Sequence, residues 1–548
     1  MFPRVKRSGK YQYLQIVENR RYGNQVRQQV IASLGRFDQL RQSGQLDNLT
    51  RALARLCREV ELVDARRDGA IESRAVRKLG PALVFNRLWQ SLGIDQELAG
   101  LLSVRKFGFA VDRAVFLTVL HRLFASGSDR QAEQWQKDYV IEGTEGLSLH
   151  HFYRAMAWLG EELPQRDQEG ATPFSPRCTK ELIEEGLFAR RRGLFSSLDV
   201  VFFDTTSIYF EGDGGESLGR YGHSKDHRPD LKQMVVGVVL DGDGRPVCCE
   251  LWPGNTTDVK SLIPVVKRLR SRFEIGSVCV VADRGMVSKE TITQFEERKG
   301  LSYILGARMR KQKEVNAEVL SRGGRYQQVE VKGKGSKAPA PLKVKEVLVA
   351  ERRYIVCYNE EQARKDASDR EAIVASLKDK LRGGAKQLVG NKGYRKYLKA
   401  KDRGFAIDED KIKREARYDG KWVLRTNTDL SAKEVALKYK QLWMVESVFR
   451  TTKSVLETRP IFHKCDETIR GHVFCSFLAL ILMIELQERL RQRGSVCEWN
   501  DIRRDLEALQ ETELVMNDQT YYLRTPLRGT CLDSLRATGI PPPPTLRQ

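Results

Sequence analysis

Between residues 198 and 307 the apolar positions come in short dense runs broken by polar turns, the pattern of buried strands alternating with amphipathic helices. LDVVFFDTTSIYFEG reads as a strand with one acid, Asp204, among apolar neighbours, and the polar loop YGHSKDHRPDLKQ follows it. MVVGVVLDGDGRPVCCELWPGN predicts two strands joined by a tight DGDG turn. DVKSLIPVVKRLRSRF predicts a helix, SVCVVADRGM a strand ending at Asp283, SKETITQFEERKG a helix and LSYILGA a strand. The predicted order is β-β-β-α-β-α-β, with one acid in the first strand and one at the end of the fourth. Acids at strand ends of such sheets often line a site.

The flanking patterns differ. YQYLQIVEN and QVRQQVIASLG alternate around RRYG as a basic β-hairpin, followed by a more polar helix through Leu53 and Leu62. Residues 76–194 turn helical, as in RAVFLTVLHRLFASGS, and suit either a scaffold or a domain docked on a duplex. Residues 308–425 read as a largely β insertion with a solvated basic loop, KGKGSKAPAPLK. The layout is then 1–75 basic hairpin, 76–194 helical, 195–307 core, 308–425 insertion, 426–490 core again, and 491–548 a polar, loosely packed tail ending in PPPPTLRQ.

Within 426–490, Ser431 and Glu434 have the spacing of a capping box. Val435, Tyr439, Leu442, Trp443, Phe449 and Leu456 then recur at three- and four-residue steps, predicting one amphipathic helix packed on a core. Glu446 falls in the middle of that apolar stripe, and Lys453 projects on nearly the same side. A carboxylate on a buried face needs a cation or hydrogen bonds to compensate it. A second apolar helix follows from about Glu467 to Leu490.

Composition narrows the partners. The 548 residues carry a formal net charge of +22, which suits a polyanion, nucleic acid before membrane. The ten cysteines show no paired metal spacing and read as buried thiols in a reducing cytosol. No apolar run opens the chain, and the stretch Val473 to Ile484 is too short to span a bilayer. These features predict a cytoplasmic protein with no membrane partner.

Asp204, Asp283 and Glu446 lack neighbouring His or Cys, which favours an oxygen-ligated ion, magnesium or manganese, over zinc. Carboxylates converging from separate elements can hold two such ions about 3.5–4 Å apart, one activating a nucleophile and one stabilising the leaving oxygen. With the basic charge, the fitting substrate is a nucleic-acid phosphodiester.

The order strand Asp, strand Asp, helical Glu resembles the DDE transposases of bacterial insertion sequences, in the retroviral-integrase superfamily. Their signature is Y-x2-R-x3-E-x6-K; Tyr439, Glu446 and Lys453 match it, Trp443 stands where relatives often have Trp, and Leu442 replaces the Arg. HSKDHRPDLKQ, GNTTDVKSL, VVADRGMVS and RPIFHKCDETIRGHVFCSFLAL are also similar to this group. The resemblance implies an RNase H-like α/β core interrupted by a β-rich insertion. It implies two Mg2+ or Mn2+ ions held by Asp204, Asp283 and Glu446, and a cut-and-paste activity that cleaves element ends and joins the 3′-OH to target DNA. It further implies double-stranded DNA as partner, terminal inverted repeats and target alike, and a homodimer acting on paired ends. Tyr439, Trp443, Arg450 and Lys453 are the expected DNA contacts, with Arg450 and Lys453 replacing the donor missing at Leu442. The rival expectations are an RNase H-like nuclease that never joins strands and a non-catalytic DNA-binding relative.

Overall fold

A computed structural model describes residues 1–22, 25–54, 71–169, 171, 175–191, 200–275, 277–329, 342–382, 396–401, 404–516 and 518–548. By its contacts the chain forms two compact units. One contains Met1–Gly80, Arg504–Cys531 and Pro541–Gln548; the other contains Pro81–Arg503 and Leu532–Ile540.

In the first unit the expected hairpin is present as β2 (Tyr11–Tyr22) and β3 (Gln25–Arg36), and β1 (Phe2–Ser8) adds a third antiparallel strand. Arg4 ties the three together, donating to Gln15 Oε1 at 2.9 Å and Gln28 Oε1 at 2.7 Å. The helix after it runs Gln45–Ala54; Leu62, expected on that helix, lies outside the described residues. β4 (Ile71–Lys78) completes the N-terminal part.

The second unit is built on a nine-stranded mixed sheet. β5 (Val200–Tyr209), β6 (Gln233–Leu240) and β7 (Pro246–Pro253) run antiparallel in sequence order, as the two turn-rich connections require. The helix Asp258–Arg272 then crosses to β8 (Val278–Ala282), and the helix Lys289–Glu296 crosses to β9 (Leu301–Gly306). β8 pairs parallel to β5 and to β9. The interior of this half is apolar: Val201, Phe203, Val239, Leu262, Val265, Val280 and Phe295 share one buried cluster.

The insertion is not a sheet of its own. β10 (Gln327–Val329), β11 (Leu342–Val349), β12 (Arg352–Asn359) and β15 (Lys421–Thr426) continue the core sheet, because β15 pairs antiparallel with β9 through Leu424↔Gly306, Arg425↔Leu305 and Thr426↔Ile304. The helix Glu360–Arg382 and the small β13 (Leu398–Lys401) and β14 (Gly404–Ile407) pair lie between β12 and β15 in sequence. Residues 331–341, most of the expected basic loop, lie outside the described residues.

The second apolar helix spans Asp466–Gln492, long and apolar enough by length and composition to cross a membrane. Its most apolar 18-residue window is instead 89% buried in protein. Helices Val111–Phe124 and Leu149–Leu159 pack on it. The crossing is close: a Cβ on Gly471 would lie 1.9 Å from the Met156 carbonyl oxygen.

Charges are buried where the helix Thr179–Arg191 meets the core. Lys180 lies 2.6 Å from Glu181 and donates to the Cys249 carbonyl at 2.8 Å. Arg272 pairs with Glu184 at 2.6 Å and Glu185 at 2.7 Å, and Arg268 pairs with Glu250 at 3.3 Å. These pairs fasten the helix Thr179–Arg191 to the sheet and to the helix Asp258–Arg272.

The last segment is ordered rather than a loose tail. Helix Trp499–Glu507 precedes β16 (Gln510–Met516), β17 (Gln519–Arg524) and β18 (Leu546–Arg547), which with β4 make a four-stranded sheet. Its overall polarity hides enough buried apolar positions, Ile502, Leu506, Leu509 and Met516 among them, to fold it.

Candidate active site

The register of the parallel pair sets the site. Val200 pairs with Cys279, Val201 with Val280 and Phe202 with Val281. Two residues further on, Asp204 on β5 and Asp283 just past β8 lie level on neighbouring strands, which run about 4.8 Å apart. Asp204 is partly buried, and its Oδ1 accepts the Thr205 N–H at 2.7 Å. Burial raises its pKa from 3.8 to about 6, with Asp258 and Asp283 adding to the rise and Lys225 and the Thr205 N–H opposing it. Asp204 therefore senses the charge of Asp283, as two carboxylates converging on one place must.

Asp283 is held by the signature segment. The Tyr439 hydroxyl donates to its Oδ1 at 3.0 Å. Burial and the carboxylate both push the Tyr439 phenol well above its ordinary value, so it stays a donor.

The capping box forms as expected, with Ser431 Oγ accepting the Glu434 N–H at 3.3 Å and Glu434 Oε2 accepting the Ser431 N–H at 2.9 Å. The single helix expected after it is two. Ala432–Lys440 ends, a tight turn is closed by Leu442 N–H to Tyr439 O at 3.0 Å, and Trp443–Ser454 begins. The turn breaks the periodicity that joined the two halves. Leu442, Val445, Val448 and Phe449 form the buried arc of the second helix. At 100° per residue Glu446 falls roughly 40° outside that arc, and Trp443 and Arg450 lie near its opposite side.

Glu446 is accordingly exposed on a helix that packs against β5 and β6, rather than central to an apolar stripe. Trp443 is 60% exposed, not packed in the core beside Leu442. Arg450 is exposed and makes no ion pair among the described residues. Lys453 is turned inward, its ammonium 2.7 Å from Asp226 Oδ1.

Further groups surround the two aspartates. Lys225 donates to the Thr205 carbonyl at 2.7 Å and Thr205 Oγ1 at 2.9 Å, and lies 3.1 Å from Asp258 Oδ2. Thr205 Oγ1 donates to Asp258 Oδ1 at 2.7 Å. Asp226 also receives Arg459 at 2.8 Å. Sequence reading passed over these residues, although HSKDHRPD and GNTTD carry them; the signal was an adjacent Lys-Asp pair in a loop otherwise short of apolar anchors.

Residues 196–482, just over half of the chain, match the family described as transposase DDE domain. The chain belongs to that family. Residues 3–67 also match the N-terminal domain of IS1634 family transposases. No curated protein sequence matches the chain. Among solved structures, the chain is similar to the Mos1 transposase paired-end complex with left transposon end, at 16% identity and a TM-score of 0.14, over 35% of this chain and 59% of that one.

The donor set suits the divalent metal that the family uses. Asp204 and Asp283 offer hard oxygens, and burial, with smaller contributions from Asp258 and Asp283, raises the Asp204 pKa, a cost that a bound cation would offset. A second cluster, Asp129 with His463 and His472, has ligand atoms close enough for an ion. There Arg122 already supplies the cation, with Nη2 3.0 Å from His472 Nδ1 and 3.9 Å from Asp129 Oδ1. Asp129 is held at about 2, where hydrogen bonding to His463 and the Arg122 charge outweigh its burial. It reads as a buried ionic anchor.

Proposed function

We propose that the chain is a DNA transposase that cleaves element ends and joins the freed 3′-OH to target DNA by in-line displacement at phosphodiesters. The observation that carries this reading is the level placement of Asp204, midway along β5, and Asp283, just past the end of the parallel β8, in a chain of the transposase DDE domain family. The strand order β7-β6-β5-β8-β9, with only β6 antiparallel to its neighbours, supports an RNase H-like core.

Asp204, Asp283 and Glu446 would hold two Mg2+ or Mn2+ ions. When bound, such ions supply positive charge to the scissile phosphate and acidify an attacking water. The protein's part is placement. Tyr439 occupies one oxygen of Asp283 and so fixes the carboxylate's rotation; the Thr205 N–H does the same for Asp204. Exposed Arg450 and Trp443, on one side of the Glu446 helix, suit contact with DNA phosphate and base. The partners are terminal inverted repeats and target DNA, the acting form is a dimer on paired ends, and the place of action is the cytoplasm.

The test uses paired end substrates with Mg2+ or Mn2+. Asp204→Asn, Asp283→Asn and Glu446→Gln each abolish cleavage while DNA binding and circular dichroism stay as in wild type. Cleavage without joining in wild type would instead leave a nuclease, and a variant that keeps metal-dependent cleavage would remove its residue from the site.

A further inference from the structure

Lys225 and Asp226 are consecutive, yet they reach in two directions. Lys225 is fastened to β5. Its N–H donates to Ser207 Oγ at 2.7 Å, and its ammonium meets the Thr205 carbonyl, Thr205 Oγ1 and Asp258 Oδ2. Thr205 takes two of the three ammonium protons, and the Asp258 carboxylate already balances the charge. Asp226 is fastened to the other element. Its side chain is 5% exposed, and its Oδ1 lies between Lys453 at 2.7 Å and Arg459 at 2.8 Å. The loop between is closed on itself, since Ser224 Oγ accepts the N–H groups of Asp226 at 3.2 Å and Arg228 at 3.0 Å.

Lys453 lies seven residues after Glu446, roughly 20° from it around the helix. The loop therefore grips the Glu446 helix on nearly the side that carries Glu446, and is itself bolted to Thr205 and Ser207, which follow Asp204 on β5. At the other end of the segment Tyr439 is bonded to Asp283. The two outer signature residues thus anchor the segment at both ends, with Glu446 between them.

We propose that Asp226 is a positioning residue that sets Glu446 relative to Asp204, and that Lys453 serves this pairing rather than a DNA phosphate. This rests on the reading of Asp204, Asp283 and Glu446 as the metal-holding acids. A buried ion pair of this kind stabilises little overall against apolar substitutes, yet it loses strongly when one partner is removed, so it suits a device that fixes geometry.

The experiment measures Mn2+ binding to the full-length protein without DNA, by calorimetry or the loss of free-ion paramagnetic resonance. It adds the Mn2+ concentration for half-maximal cleavage, and DNA affinity by anisotropy. Asp226→Asn is expected to raise both metal concentrations about tenfold or more while DNA affinity stays within about twofold, as expected for loss of a group that orients ligands. Lys453→Arg, which keeps the pair, is expected to stay near wild type, and Arg459→Gln to shift the metal curves in the same direction by less. A folded Asp226→Asn protein with unchanged metal curves overturns the proposal. So does one that binds DNA more tightly at an unchanged metal requirement, because Lys453 would then have been a phosphate contact held in reserve. If Asp226→Asn does not fold, Arg459→Gln decides, and an unchanged metal curve there overturns the proposal. Asp204→Asn is the control: if it too leaves Mn2+ binding unchanged, the acids do not form the metal site, and this inference falls with that reading. A shifted curve in Asp204→Asn with a flat one in Asp226→Asn rejects the positioning role alone.

Discussion

The Tyr439 hydroxyl donates to Asp283 Oδ1 at 3.0 Å, joining the start of the signature segment to an acid 156 residues earlier in the chain. That tyrosine thereby acquires a physical reason: it restricts how the Asp283 carboxylate turns.

Tyr439→Phe removes that bond and little else. Hydrogen bonds to charged groups are worth about 1.5–3 kcal/mol. Single-turnover cleavage is expected to fall roughly 10- to 100-fold, with DNA affinity unchanged. A rate within twofold of wild type would show that Asp283 needs no such restraint.

The raised carboxyl of Asp204 makes a pH prediction. Its pKa is 3.8 in the ordinary state and about 6 in the fold, so the folded protein holds this proton more tightly than the unfolded chain. The resulting stabilisation is full below 3.8 and is lost as pH rises through about 6. Above that, the ionised carboxylate carries a penalty of up to about 3 kcal/mol. In urea denaturation with chelator present, Asp204→Asn is expected to be more stable than wild type at pH 7.5 and equal to it near pH 4. A constant difference across that range would contradict the assignment.

Arg450 and Lys453 are expected to separate. Arg450→Ala removes an exposed cation, so its stability changes by less than about 0.5 kcal/mol. Its DNA affinity falls for all sequences, and the slope of log affinity against log salt drops by about 1. Lys453→Ala strips a buried pair that Arg459 only partly covers, and costs roughly 2 kcal/mol of stability in denaturant titrations. Equal stability of the two variants would refute this division.

Arg272→Met tests the buried charges. It leaves Glu184 and Glu185 without their closest cation, so an unfolding free energy lower by about 3–5 kcal/mol is expected. A change below about 1 kcal/mol would mean that Lys180, 3.7 Å from Glu184, and Arg177, 2.8 Å from Glu185, suffice.

Much of this was legible in the sequence because it is local. Strand runs, turn residues and the Ser431–Glu434 cap depend on neighbours a few positions away, and all are present. The sequence places Asp204 within one strand and Asp283 at the end of another, but their level placement comes from the parallel pairing of β5 with β8, which no local pattern carries. What the sequence hid is non-local. The turn at Leu442 preserves three- and four-residue spacing on both sides while resetting the helix, so Glu446 and Trp443 looked buried and are not. The continuity of core and insertion rests on three residue pairs between β9 and β15, which no periodicity announces. The partners of Lys225 and Asp226 come from β5, from helices and from the segment after them, so their adjacency in sequence looked like an ordinary charged loop.

That junction of β9 with β15 also orders events during synthesis. Leu305 waits for Arg425, its partner, through the making of the whole insertion. At about 5–20 residues per second, roughly 120 residues take on the order of 6–24 s. Throughout that interval the growing chain carries an unpaired strand edge beside its two aspartates. Glu446 leaves the ribosome only after β15, so a nascent chain holds Asp204 and Asp283 without Glu446 until the insertion is made. The order of the chain thus postpones the Glu446 helix until the sheet on which it packs can close.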